Sequence, residues 1–289
     1  MLVIVGALVV LACVIGGYLA SHGHLLALWQ PYEMLIICGG ALGAFLIANS
    51  SKIVKAAGSE LLGLIKGPRY KREDYIDLLS LLYDIFNAMR KGGLLSLEAH
   101  IEEPHASPIF SAYPRLIREH HLIDFITDCL RLMVSGSMNA YELEPLLDYE
   151  LETHHHDALA PSKAINRLGD ALPGFGIVAA VLGIVTTMSS LNGDTSTIGE
   201  HIAGALVGTF VGILLCYGFV GPLSSAMENR TNEDGKAFEC VKVALIANLR
   251  AYNPKVSVEF ARKALSSINR PTFQDLDEHL KSDRTSTSA

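Results

Sequence analysis

The sequence predicts an all-α integral membrane protein: four transmembrane helices, a large cytoplasmic helical domain between the second and third spans, and a cytoplasmic C-terminal helix. Three observations predict it. All 23 Lys and Arg of the 289 residues lie within 51–170 and 226–289. The two stretches without a basic residue, 1–50 and 171–225, each hold two apolar runs close to the roughly 20 residues a helix needs to cross hydrocarbon. The basic stretches carry apolar residues at helical spacing and almost no strand-like alternation.

The spans fall near 2–20, 33–49, 171–191 and 202–224. Between the first two lies a loop, 21–32, with no Lys or Arg; between the last two lies 192–201, whose formal charges are Asp194 and Glu200. Lys52, Lys55, Lys66, Arg69, Lys71 and Arg72 crowd just after the second span. By the positive-inside rule both short loops face outward and both termini are cytoplasmic, as expected of a multi-pass membrane protein. Nothing basic precedes the first span and its apolar run exceeds a signal-peptide core, so it is expected to remain. Four segments follow: a first hairpin (1–50), a cytoplasmic helical domain (51–170), a second hairpin (171–225) and a cytoplasmic helical segment with a tail (226–289).

Hydrophobic residues make up 50% of the chain and mean hydropathy is +0.32, modest values because most of the chain lies outside the spans. The part outside is large enough for a core of its own. A net charge of −7 gives no sign of a nucleic-acid partner. The five cysteines (Cys13, Cys38, Cys129, Cys216 and Cys240) are scattered without a CxxC pair, and read as small apolar residues.

In the cytoplasmic block, Asp77, Ser80, Asp84, Asn87 and Lys91 form one polar stripe, with Ile76, Leu79, Leu82, Tyr83, Phe86 and Met89 on the buried side. Gly92-Gly93 ends that helix. Ser96 is expected to cap a short helix closed by Pro104. A longer helix is expected from about 115 to 134, and Asn139 caps another reaching about 155. A segment near 162–170 leads into the membrane, 226–250 continues inward from it, and the terminal KSDRTSTSA is expected to be disordered.

Neither the third nor the fourth span holds an Asp, Glu, Lys, Arg or His within its apolar run, although ionisable groups at membrane depth are the usual mark of an ion path. A titrating group must come from elsewhere if ions cross. Small residues recur instead: Gly176, Ala180, Gly183, Thr187 and Ser190 on the third span, and Gly204, Gly208 and Gly212 beside Ala205, Thr209 and Cys216 on the fourth. These faces suit either packing of the two helices on each other or a lining around partner helices. Pro173 is expected in a first helical turn, where a missing N–H costs little; Pro222 is expected to free the carbonyl of Gly218 and kink its helix. Both lie at similar depth, as a hinge would require.

ALPGFGIVAAVLG entering the third span, GALVGTFVGILLCYGFVGPL across the fourth and ECVKVALIANLRAYNP beyond it resemble the motility protein A (MotA) family of flagellar stator subunits, within the wider MotA/TolQ/ExbB group. The likeness runs from GGYLA to RPTFQDLDEH. It implies a non-enzymatic, cofactor-free ion-channel subunit. Several copies, a pentamer, would surround a MotB dimer whose Asp binds and releases the coupling ion, and torque would pass to the rotor protein FliG. Pro173 and Pro222 match the family's coupling prolines. Phe175, Gly176, Thr209 and Tyr217 match its channel-facing residues.

Arg90 and Glu98, in MRKGGLLSLEAHIEEP, match the family's charged rotor contacts, and Glu150 is a third candidate. On the residues alone, Arg90 in a last turn and Glu98 in a first turn simply suit the helix dipoles. Sodium-driven members place a Thr opposite the position of Thr209; here that position is Ala180, beside Ala179, so the proton is the expected coupling ion. The alternatives are sodium coupling, a TolQ- or ExbB-like energy transducer, and a membrane scaffold. His154-His155-His156 cannot converge on one metal from a helix, and Ser189, Ser190 and His201 lack the motif of a hydrolase.

Overall fold

The computed structural model describes residues 2–136, 138–189 and 195–286, and among them all regular structure is helical. In chain order the α-helices are α1 (Leu2–Ala20), α2 (Pro31–Ala48), α3 (Ser51–Lys66), α4 (Arg72–Gly92), α5 (Glu98–Glu102), α6 (Pro108–Ser111), α7 (His120–Val134), α8 (Ala140–Ser189), α9 (Thr195–Leu215), α10 (Gly221–Leu249), α11 (Pro254–Ala264) and α12 (Phe273–Ser286). They form two compact units, 1–67 with 158–230 and 68–157 with 231–289. Among the described residues, four helical stretches are long and apolar enough to cross a membrane, Leu2–Ala20, Leu25–Ala48, Ala140–Met188 and His201–Leu249.

In the first unit, α1 is apolar all round and buries none of its side chains within the chain, so lipid or another chain must cover it. Ile37, Ala41 and Phe45 recur every four residues on α2 and bury one stripe. Ile37 and Ala41 join Leu172, Ala179, Val211 and Cys216 in one core. Phe45 joins Ala57, Ala164, Ile165 and Met227 in another. The amphipathic α3 turns Ile53, Val54, Ala57 and Leu61 to that second core and leaves Lys52 and Lys55 exposed.

The second unit is built around α4. Leu78, Leu79, Ser80, Leu81, Leu82, Tyr83, Ile85 and Phe86 are all buried, so α4 is enclosed on nearly every side. The expected solvent stripe is therefore corrected. Ser80 is inside, and Asp84 accepts a 2.8 Å hydrogen bond from Tyr113 Oη, because α6, α11 and α12 also pack on this helix. Ser96 is not a cap either: its hydroxyl donates to the carbonyl of Gly93 at 2.7 Å, and α5 starts at Glu98. The helix expected from 115 begins at His120, after a 3-10 turn at Leu116–Arg118.

Asn139 does cap α8, its Oδ1 accepting from the N–H of Tyr141 at 2.9 Å, while Glu142 reaches back to the Asn139 N–H at 3.0 Å. The helix it starts does not stop near 155. It runs unbroken to Ser189, absorbing the segment expected at 162–170. The loop expected at 192–201 is likewise overtaken by α9 from Thr195, and α12 extends to Ser286 into the tail expected to be disordered. The expected Ser190 and Asp194 lie outside the described residues.

Candidate functional site

Because α8 is continuous, Pro173 stands mid-helix and not in a first turn. Its ring supplies no N–H, so the carbonyl of Gly169, one turn earlier, has no donor from that position. On the opposite helix the backbone makes a π turn at Cys216–Val220, where the N–H of Gly221 donates to the carbonyl of Cys216, and Pro222 follows directly. The extra residue in that turn is how the helix accommodates Pro222, and π turns of this kind cluster at functional positions.

The two weak points meet. A Cβ on Gly169 would lie 3.2 Å from Val220 Cγ1 and 3.7 Å from the N of Gly221. Next to this junction, Ser224 Oγ donates to the carbonyl of Ser162 at 2.9 Å, a buried bond tying the two helices.

Toward the other end the glycines decide the spacing. A Cβ on Gly212 would sit 2.7 Å from the carbonyl O of Leu172; one on Gly176 would sit 3.0 Å from that of Gly208 and 3.3 Å from Thr209 Cα. A Cβ on Gly208 would lie 3.3 Å from Ala179 Cβ, and one on Gly183 3.0 Å from Ala205 Cβ. At Gly176, Gly183, Gly208 and Gly212 the small faces are thus used by α8 and α9 against each other. Gly176 is buried in that seam. Phe175 points the other way, its ring over Gly40 of α2, where any side chain would overlap it. Ala180 and Thr209 remain partly open, Pro222 is exposed, and Tyr217, in the π turn, is 73% exposed.

In the second unit, Arg90 is exposed in the last turn of α4, ahead of Gly93, whose φ of 77° ends the helix and whose N–H donates to Met89 O at 2.8 Å. It edges a cleft of about 640 Å³ also lined by Phe86, Leu94, Asn248, Tyr252 and Pro254. Glu98 opens α5 and is exposed. Among the described residues neither side chain makes an ion pair, whereas Arg72, Arg115, Lys242 and Lys255 are paired with Asp275, Glu73, Asp148 and Asp277. Glu150 is exposed on α8, and its carboxyl stands above the ordinary carboxylate range through partial desolvation and the charge of Asp128.

One turn on, the His154 ring lies against the Phe238 ring, their centroids 4.5 Å apart and their planes tilted by 37°. Desolvation, with His121 and His155 nearby, holds its imidazole below the ordinary value. Sequence reading missed this contact because it joins helices far apart in the chain.

Residues 4–93 match the family model for the motility protein A N-terminal region, and 119–239 match that of the MotA/TolQ/ExbB proton channel family. The chain is 44% identical over 284 residues to motility protein A of Salmonella typhimurium, covering 98% of this chain and 96% of the relative. It is 45% identical over 281 residues to that of Escherichia coli, covering 97% and 95%. The chemotaxis protein LafT of Vibrio parahaemolyticus is 42% identical, covering 95% and 96%. In fold it is similar to a chain of the C. jejuni MotAB structure (TM-score 0.72, 20% identity, 92% and 95% covered). It is also similar to a chain of the Bacillus subtilis flagellar MotAB stator complex (0.68, 23%, 89% and 92%). Matched over nearly its whole length by relatives above 40% identity, the chain belongs to the motility protein A family.

Proposed function

We propose that the chain is a flagellar stator subunit that forms a proton channel with a MotB-type partner and turns ion flow into torque on the rotor. The observation that carries this is the absence of any Asp, Glu, Lys, Arg or His from 171–189 and 202–225, in helices otherwise built to pack closely. A conducting path through such helices needs its titrating carboxylate from another chain. A pentamer around a partner dimer, in a bacterial inner membrane with both termini inside, would place Ala180, Thr209 and Tyr217 beside that carboxylate. Gly176 then acts by setting helix spacing and Phe175 by docking on α2.

Proton loading and release on the partner would be sensed at the junction of Pro173 and Pro222, where two backbones lacking a donor abut. The unpaired charges of Arg90 and Glu98, with Glu150, would meet the rotor protein FliG. Ala at 180 leaves too few oxygens around Thr209 to replace the hydration of sodium, which favours the proton. The test is proton uptake into vesicles holding this chain alone, with a partner freed of its plug, and with that partner's membrane Asp changed to Asn. Uptake only with the intact Asp is expected. Equal uptake in all three would overturn the shared channel.

A further inference from the structure

α3 follows α2 after only Asn49 and Ser50, so it starts where the second apolar span ends. Asn49 closes that span, its Nδ2 donating to the carbonyl of Phe45 at 2.8 Å. The core that seats α3 holds Phe45 in the last turn of α2, Ala164 and Ile165 ahead of the third apolar run, and Met227 just beyond the fourth. A Cβ on Gly63 would lie 2.8 Å from the Arg230 guanidinium. All these contacts are made at the ends of spans, on the side that carries Lys and Arg. α3 belongs to the membrane unit and is held at the edge of its apolar part.

Successive residues turn about 100° around a helix, which sorts α3 into three sectors. Ile53, Val54, Ala57, Leu61 and Leu64 share one sector and pack inward. Next round the helix come Ile65 and Leu62, which remain 65% and 67% exposed. Lys55 and Lys52 follow, both exposed. Among the described residues neither lysine has an ion-pair partner, whereas Lys236, Lys242, Lys255 and Lys281 each face a carboxylate. Glu60, the one acid of α3, falls outside this arc and is half-buried.

Packed chain, then aliphatic side chains, then cations is the order of surroundings that a helix meets when it lies in a leaflet: protein, acyl hydrocarbon, headgroups. A dissolved anion would answer the lysines and leave Leu62 and Ile65 in water. A neutral lipid surface would cover the aliphatic pair and leave the lysines without counter-charge. Seven residues, about 10 Å of helix axis, separate Lys55 from Leu62, which matches a lipid surface and not one bound phosphate.

We propose that the exposed arc of α3 docks on the membrane through anionic phospholipid, with Lys52 and Lys55 on the headgroup phosphates and Leu62 and Ile65 in the acyl region. The inference goes beyond the stator reading and rests only on α2 spanning a membrane.

The test uses the full chain reconstituted in vesicles of equal parts phosphatidylglycerol and phosphatidylcholine, with bromine on the acyl chains of one lipid or the other. Trp29, the one native tryptophan, is removed as Trp29→Phe, and Leu62→Trp supplies the reporting indole. Quenching by brominated phosphatidylglycerol should exceed that by brominated phosphatidylcholine several-fold. The ratio should fall to about one with Lys52→Gln and Lys55→Gln together, or at high salt, and Lys52→Arg should preserve it. Absence of quenching by either lipid means that water or another protein covers the face, and overturns the proposal. Equal quenching by both lipids overturns the anionic headgroup, and a preference that survives the double lysine change overturns the role of these lysines. Should Leu62→Trp not reconstitute, Ile65→Trp decides by the same outcomes. The vesicles hold no partner, rotor or proton gradient, so failure here leaves the channel reading standing, and failure of partner-dependent proton uptake leaves this one standing.

Discussion

Gly169 and Val220 meet with no space for a side chain between them, a Cβ on the glycine falling 3.2 Å from the valine Cγ1. One is four residues before Pro173 and the other two residues before Pro222. The contact therefore joins the two points at which proline removes a helix donor. Gly169→Val should overpack it at about 1–3 kcal/mol. Swimming speed should fall sharply while copurification with the partner persists, and Val220→Ala in the same chain should restore part of the speed. Unchanged speed in the single variant would dissociate this contact from coupling.

Gly212→Ala tests the helix seam. Its methyl would lie 2.7 Å from the carbonyl of Leu172, a backbone atom that cannot swing aside, so the hairpin must open. A loss of about 1–3 kcal/mol is expected as a lower unfolding temperature in detergent. Gly16→Ala, with nothing within 4 Å, should leave that temperature unchanged or slightly raised.

Arg90 and Glu98 are exposed charges without an ion-pair partner among the described residues. Each exposed pair formed with a rotor is worth about 1 kcal/mol or less. Single neutralisation should thus slow swarming moderately and joint neutralisation severely, and reversal of Arg90 to Glu should be relieved by an opposite reversal on the rotor. Equal motility in the double variant would remove both from torque transfer.

His154 sets a pH dependence. Its folded-state pKa is held below the ordinary 6.5, so its contribution to stability is full above 6.5 and is lost as pH falls through the depressed value. Glu150 acts oppositely. Its raised pKa gives a contribution present below its ordinary 4.5 and lost as pH rises through the raised value. In a Glu150→Gln background, which removes that opposing slope, the unfolding temperature should drop on acidification below about 6.5. His154→Phe should flatten the drop, and an identical slope in both chains would refute the assignment.

Ala180→Thr adds one oxygen at the position where the family resemblance implies a Thr facing that of Thr209 in sodium-driven members. Without a matching change in the partner, that is too few ligands for sodium, so motility in sodium-free medium should be the same in the variant and the native chain. Loss of native motility on sodium removal would reverse the proton assignment.

The apolar runs made the four candidate spans among the described residues legible without coordinates, and the motifs made the family legible. Lipid imposes length and polarity on a span locally, so such features are written in consecutive residues. The Asn139 cap was legible for the same reason. Polar stripes were not a safe guide to solvent. Ser80 and Asp84 sit at exposed-looking spacing on α4, yet α6, α11 and α12 close over that side.

What tertiary structure alone decided is where the small residues and prolines are spent. Composition offered Gly176, Gly208 and Gly212 either to a partner or to each other, and the structure brings α8 and α9 together at these glycines. Pro173 became a mid-helix weak point only because α8 continues through it, and Pro222 received a π turn in place of a simple kink. The sequence by itself determined which segments lie in apolar surroundings and which residue types they carry. The contacts of Gly169 with Val220 and of Gly212 with Leu172 depend on how separate helices lie against one another, and no local pattern encodes that distance.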